Sequence, residues 1–159
     1  MEITFRKRHG DYSQLICTRD DGSRSETLFH NQESLPHDLI HYVVETTMGY
    51  QQGFYGLVAN GAAIAYNQAH NHPIVARQDV IENLQAESLV KAIQLLADEY
   101  ELSRSKLLPL TEQLCQDERI PTPNLTDKQV SSLCLSLQHY RQLWLDLCDN
   151  HQLQLNFQH

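Results

Sequence analysis

Long apolar runs are missing from this 159-residue chain: no stretch approaches the ~18 consecutive apolar residues that a transmembrane helix requires. The N-terminus, Met1-Glu2-Ile3-Thr4-Phe5, also lacks the basic and then apolar order of a secretion signal. We therefore expect no membrane partner, and a protein that stays where it is made, most simply in the cytoplasm.

Cysteine is scarce, and its spacing contains no metal or redox motif. The four cysteines are Cys17, Cys115, Cys134 and Cys148. Because none of them forms a CxxC or CxC pair, zinc-ribbon and thiol-redox motifs are excluded. We expect four reduced thiols, mostly buried.

Positive charge is also in short supply, with 12 Lys and Arg against 20 Asp and Glu and a formal net charge of −8. Neutralising phosphates requires a basic face, so we expect no nucleic-acid partner. The one basic strip, Arg6-Lys7-Arg8, is interpreted as a solvated strand edge. Gly-rich phosphate loops and the Gly-x-Ser-x-Gly motif are absent from the sequence, so neither predicts a function here.

The composition, 41% hydrophobic and 8% aromatic, is typical of a globular protein, and the length fits a single domain over residues 1–159. The first thirty residues predict a three-stranded antiparallel meander with turns at His9-Gly10-Asp11 and Arg19-Asp20-Asp21-Gly22-Ser23. At the other end, Leu153, Leu155 and Phe157 alternate with polar residues, which predicts a strand that joins the same sheet.

Helices are predicted between these strands. The first opens at Ser34-Leu35-Pro36 and stops at Gly49, and the others cover 52–60, 80–101, part of 107–123, and a segment that starts at Thr126. The segment 62–74 is ambiguous. The sequence therefore predicts an α+β fold, in which a small antiparallel sheet of three N-terminal strands and one C-terminal strand packs against four or five helices.

The first helix carries the residues that predict chemistry. At about 100° per residue, His37, His41 and Glu45 form a stripe along the shoulder of its apolar face. The order His-Asp-x-x-His resembles the His-Glu-x-x-His helix of zinc hydrolases, in which histidines four apart bind one metal and the carboxylate activates water. We therefore predict His37, His41 and Glu45 as ligands of a divalent transition metal such as zinc. Asp38 is the candidate catalytic base, with a side chain one methylene shorter than glutamate.

Two alternatives stay open for this stripe. Because His37 and Glu45 lie about 12 Å apart along the helix axis, a third ligand from the His70-Asn71-His72 loop would fit better. The structural alternative makes the stripe a hydrogen-bond cluster and Asp38 a first-turn acid that satisfies free N–H groups. Under that interpretation, His70-Asn71-His72 is an ordinary polar loop.

A wider resemblance concerns the segments Leu35-Pro36-His37-Asp38-Leu39-Ile40-His41-Tyr42-Val43-Val44-Glu45 and Gly53-Phe54-Tyr55-Gly56-Leu57. Both are similar to segments of a set of uncharacterised bacterial proteins in which a short N-terminal sheet leads into such a helix. The resemblance covers mainly residues 1–61, more loosely the Trp144 helix and the last strand, and it implies a fold outline without an activity. The glycines of the second segment indicate either a close helix contact or a small-molecule pocket with two aromatic walls.

Two functional classes follow from the sequence, and whether the protein is an enzyme stays open between them. The favoured class is a non-catalytic binding or self-association module, which forms homo-oligomers or binds a protein or small-molecule partner through its acidic helices. The alternative is a divalent-metal-binding protein with hydrolytic activity, whose site lies on the helix of His37, His41 and Glu45.

Overall fold

Six strands and five helices make up the described part of the chain. A computed structural model describes residues 1–31, 35–67, 72–75, 80–96 and 102–158. The elements are, in order, β1 (Glu2–Arg6), β2 (Tyr12–Thr18), β3 (Arg24–His30), α1 (His37–Met48), α2 (Phe54–Ala59), β4 (Ile64–Asn67), β5 (His72–Val75), α3 (Ile81–Leu96), α4 (Arg104–Asp117), α5 (Asp127–Asp146) and β6 (Gln152–Asn156). This confirms the predicted α+β class.

The larger sheet has the strand order β3-β2-β1-β6, and all of its pairings are antiparallel. Ile3 lies opposite Cys17 on one side and opposite Leu155 on the other, so the apolar positions of three strands share one face. All three side chains are buried. The alternation at the C-terminus therefore predicted the fourth strand correctly.

The basic strip does not lie at a sheet edge, because β1 is paired on both sides. Arg6 hydrogen-bonds to Gln152 of β6, whereas Lys7 Nζ donates to the carbonyl of Trp144 at 2.9 Å and lies 5.2 Å from the centre of its ring. The interpretation of this strip as a sheet edge was wrong, whereas its solvation is confirmed for Arg6 and Arg8, which are exposed. A local sequence does not reveal which strands a distant segment will pair with.

Helix α1 is the central helix of the fold. It packs against α3 and α5 and contacts α2 and β5, and every residue from Asp38 to Glu45 is buried. It ends where predicted, at Gly49, whose φ of 71° is left-handed and whose N–H donates to the carbonyl of Glu45. Glycine adopts that conformation without the Cβ clash that other residues meet.

The other helices follow the sequence pattern with shifted boundaries. Helix α5 starts after Thr126 as predicted, with a capping box that Thr126 forms with Gln129. Helix α4 begins earlier than predicted, at Arg104, and includes Pro109 in its second turn, where proline cannot donate the i→i−4 hydrogen bond of a helix interior. The ambiguous segment contains the antiparallel hairpin β4–β5, which lies beside β3.

The four cysteines are all free: Cys17 and Cys115 are buried, Cys134 is half-buried and Cys148 is exposed. The expectation that the thiols are mostly buried is confirmed for Cys17 and Cys115 and is wrong for Cys148. Within the described ranges, none of the helices combines the length and the apolar character needed to cross a membrane.

Candidate metal centre

The two histidines of α1 lie side by side. His37 is the first residue of the helix and His41 follows one turn later, and residues four apart share a helix face. Their ring centres are 4.8 Å apart, with the planes inclined by 58°. The predicted histidine pair is thus present as a local feature of one helix.

A carboxylate from a second helix completes the group. Glu87 of α3 places its Oε2 atom 3.4 Å from His41 Nε2 and 3.8 Å from His37 Nε2. One ligand atom from each of the three residues lies within 4.8 Å of the other two. Tetrahedral zinc bonds of 2.0–2.2 Å place ligand atoms roughly 3.3–3.6 Å apart, so the two measured Nε2–Oε2 distances are close to that range.

Exposure increases steadily from one side of the group to the other. The side chain of His41 is 1% exposed, that of His37 13% and that of Glu87 35%. The group therefore has a closed end at His41 and an end at Glu87 that reaches solvent. An ion could enter from the Glu87 side, and water could occupy a remaining coordination position there.

Glu45 lies behind His41, on the side of the ring away from Glu87. Its Oε1 atom is 3.3 Å from His41 Nδ1, and its Oε2 atom accepts the Tyr55 backbone N–H at 3.0 Å. A Cβ atom on Gly53 would overlap the Glu45 carboxyl group, so glycine at this position makes room for the carboxylate. Glu45, predicted as a ligand, is not one of the three residues that the structure groups together.

Asp38 occupies a comparable position behind His37. Its Oδ1 atom is 3.7 Å from His37 Nδ1, and its backbone carbonyl accepts the Tyr55 hydroxyl at 2.8 Å. The side chain is 1% exposed, and neither carboxylate oxygen makes a hydrogen bond with the described residues. A base that activates metal-bound water would have to reach the Nε2 side of the rings, whereas Asp38 lies on the Nδ1 side. Its catalytic role stays a prediction.

The charges around His41 favour a cation at this position. Burial by itself lowers the pKa of His41, but the carboxylates of Glu87 and Glu45 outweigh burial and raise the pKa to about 10. Burial raises the pKa of Glu45, and the hydrogen bonds from His41 and from the backbone of Tyr55 oppose that shift. The imidazole is therefore held between two acidic groups, in a field that attracts positive charge.

The sequence could not identify Glu87, because its position depends on how two helices pack. The available indication was its place on α3: one turn after the buried Asn83 and one turn before the buried Val90. The loop ligands weighed as an alternative, His70 and Asn71, lie outside the described residues, as does the side chain of His72. His41 and Glu45 of the predicted stripe are fully buried, and α3 packs against α1 beside His41.

The glycine-aromatic segment is part of the core. Phe54 and Tyr55 are fully buried, and the ring of Phe54 lies 5.7 Å from that of His41. Gly53 admits the Glu45 side chain and Gly56 admits the carbonyl of Gln51. Of the two interpretations, the close contact is the one observed.

No protein-family model matches the sequence, and comparisons with curated proteins and with solved structures likewise give no match. The three-residue group of His37, His41 and Glu87 is the observation that bears most directly on function.

Proposed function

We propose that this protein binds one divalent transition-metal ion, with zinc as the representative, through His37 Nε2, His41 Nε2 and a carboxylate oxygen of Glu87. The observation that carries the proposal is the approach of both Nε2 atoms to the same Glu87 oxygen, at 3.8 and 3.4 Å. Two imidazoles and one carboxylate form a donor set that suits zinc and its neighbours in the first transition series.

Three protein ligands leave at least one coordination position open. Catalytic zinc sites have this composition, and their bound water ionises near neutral pH. The 35% exposure of the Glu87 side chain supports access for water at that position. Hydrolysis is the reaction class that such a site would serve, and metal binding is the step to test first.

The direct experiment is a zinc titration by calorimetry on protein purified without a histidine tag and stripped with a chelator. We expect one ion per chain. Because zinc should bind the native state and not the unfolded chain, it should raise the free energy of unfolding by about 2.7 kcal/mol when free zinc is a hundred times the dissociation constant. A flat titration would refute the proposal.

Two substitutions at partly exposed ligands test the site without leaving a cavity in the core. Glu87→Gln keeps the shape of a partly exposed side chain and removes its charge, and His37→Ala removes a ligand at the rim. Each should weaken zinc binding by at least tenfold. His139→Ala removes an exposed histidine on α5 and should leave the affinity unchanged. Equal affinity in all four proteins would place the bound zinc elsewhere.

The same titration distinguishes the non-catalytic module, the other class predicted from the sequence. In that case His41 is an imidazolium held between Glu45 and Glu87 for stability, and zinc changes neither the unfolding midpoint nor the measured heat. Cobalt(II) added in place of zinc gives a second readout, because its visible absorption reports the coordination geometry.

A further inference from the structure

Both histidines of the metal centre have a carboxylate on the ring nitrogen that faces away from Glu87. Glu45 Oε1 is 3.3 Å from Nδ1 of His41, and Asp38 Oδ1 is 3.7 Å from Nδ1 of His37. Each imidazole therefore has one nitrogen towards the centre and the other towards an acid of its own helix.

A neutral imidazole carries one N–H and one lone pair, and the partner of the N–H decides which nitrogen can bind a metal. An Nδ1–H that donates to a carboxylate leaves the Nε2 lone pair free, fixes the ring orientation and makes Nε2 more basic. The geometry points to Glu45 as a positioning residue that holds His41 through a hydrogen bond at Nδ1, and to Asp38 as one that holds His37 by its charge at 3.7 Å, both with Nε2 towards the metal. This inference rests on the proposed function.

Glu45 is itself held in place from two directions. The Tyr55 N–H at the start of α2 donates to its carboxylate, His41 lies on the other side, and its side chain is completely buried. Gly53 leaves the space that the carboxylate fills. A carboxylate fixed in this way can orient His41 before any ion arrives.

The surroundings of Asp38 support a role that involves positive charge. Its carboxylate is buried and makes no hydrogen bond to the described residues, which is costly for an ionised group. His37 is the nearest group with which the described structure pairs it. A cation bound at Nε2 of His37 would stabilise the Asp38 carboxylate through the imidazole ring.

The test compares the zinc affinity of four variants with that of the wild-type protein. Glu45→Gln keeps the volume of the side chain and loses the charge. Gly53→Ala alters no ligand and no charge, but its Cβ displaces the Glu45 carboxyl group. Asp38→Asn examines the second carboxylate. Losses of outer carboxylates of this kind weaken metal binding roughly 10- to 100-fold, and we expect that range for Glu45→Gln, Gly53→Ala and Asp38→Asn.

The matched control is Thr111→Val, which removes a buried hydroxyl that donates to the Leu107 carbonyl at 2.8 Å on α4, a helix that carries none of the residues of the metal centre. It should be destabilised to unfolding and still bind zinc as the wild-type protein does. A purely structural role for Glu45 predicts instead that all destabilised variants, Thr111→Val included, lose affinity in proportion to their stability.

A spectroscopic readout completes the test. Nitrogen-15 spectra of the zinc-loaded wild-type protein should show His41 protonated at Nδ1 only. Zinc binding that is equally tight in wild type, Glu45→Gln and Gly53→Ala would overturn the positioning role and leave the metal site standing. A wild-type protein that binds no zinc would overturn both, and loss confined to the Glu45 and Gly53 variants would overturn the role of Asp38.

Discussion

The two buried carboxylates of α1 differ in how they are satisfied. Glu45 receives hydrogen bonds from His41 and from the backbone of Tyr55, whereas the Asp38 oxygens make none with the described residues. A buried charge is tolerated when it is hydrogen-bonded. Its removal leaves the former partners buried without a hydrogen bond, which destabilises the fold. Glu45 is therefore a residue on which the packing of α1 against α2 depends.

The stability of the metal-free protein should respond strongly to Glu45→Ala. The substitution leaves His41 Nδ1 and the Tyr55 N–H without their acceptor in a site closed to solvent. We expect a loss of about 3–5 kcal/mol in urea denaturation followed by Trp144 fluorescence. Glu26→Ala, at an exposed position on β3, should stay within about 0.5 kcal/mol of wild type. A loss below about 1 kcal/mol at Glu45 would contradict this account of the network.

Cys17 predicts how stability changes at alkaline pH. It is fully buried, and burial, with a further contribution from Asp38, raises the pKa of its thiol from 9.0 to about 12. Above pH 9 the unfolded chain loses this proton and the folded chain keeps it, so the free energy of unfolding falls as pH rises.

Between pH 8 and pH 10 this effect should cost about 1.4 kcal/mol, since only the unfolded thiol ionises there. Cys17→Ala should lack that part of the decline, measured by urea denaturation at each pH. Cys148→Ala, at an exposed thiol, should decline as the wild-type protein does. Identical pH dependence in wild type and Cys17→Ala would refute the prediction.

At the scale of the elements, α5 begins with a reciprocal pair of hydrogen bonds. The Gln129 N–H donates to Thr126 Oγ1 at 3.2 Å, and the Thr126 N–H donates to Gln129 Oε1 at 3.0 Å. Thr126 is exposed and Gln129 is half-buried, and their bonds satisfy two N–H groups at the helix start. Because α5 packs against α1, its start contributes to the stability of the whole fold.

Thr126→Ala should therefore lower the free energy of unfolding by about 1 kcal/mol, as loss of an N-cap side chain usually does. Thr126→Ser keeps the hydroxyl and should remain within a few tenths of a kcal/mol of wild type. Thermal or urea denaturation of the three proteins measures the difference. Equal losses for alanine and serine would show that the methyl group, and not the cap, matters here.

Most of the predictions that succeeded depend on neighbours in sequence. The left-handed stop at Gly49, the start of α5 after Thr126 and the histidine pair at His37 and His41 all follow from spacing within one element. Glu87 lies beside His37 and His41 only because α3 packs against α1. The spacing of apolar residues along the sequence does not indicate which helices pack together.

At the scale of the whole molecule, the two ends of the chain meet. Strand β6 pairs with β1 along its length, the Phe157 N–H donates to the Met1 carbonyl at 2.9 Å, and the N-terminal amine donates to the Phe157 carbonyl. The alternation of Leu153, Leu155 and Phe157 with polar residues predicted a strand. Because one face of that strand is apolar, the sequence also predicted correctly that it joins the N-terminal sheet. The pairing partner of that strand, β1, was set by the tertiary fold.

The last prediction tests whether β6 holds the sheet by its inward face. Leu155 and Phe157 are buried, while Gln152 and Gln154 point to solvent. Because a large apolar side chain contributes roughly 1.5–3 kcal/mol when buried, Leu155→Ser with Phe157→Ser should lower the free energy of unfolding by about 3–6 kcal/mol.

Gln152→Ser with Gln154→Ser changes the same number of residues on the outward face of that strand and should cost less than about 1 kcal/mol. Deleting residues 152–159 should be at least as harmful as the inward pair, since it also removes every β1–β6 hydrogen bond and uncovers Ile3 and Phe5. Urea denaturation, with solubility as a second readout, compares the three proteins. Equal losses of unfolding free energy for the inward and outward pairs would mean that backbone pairing alone retains β6. A truncated protein as stable as wild type would mean that the sheet does not need β6.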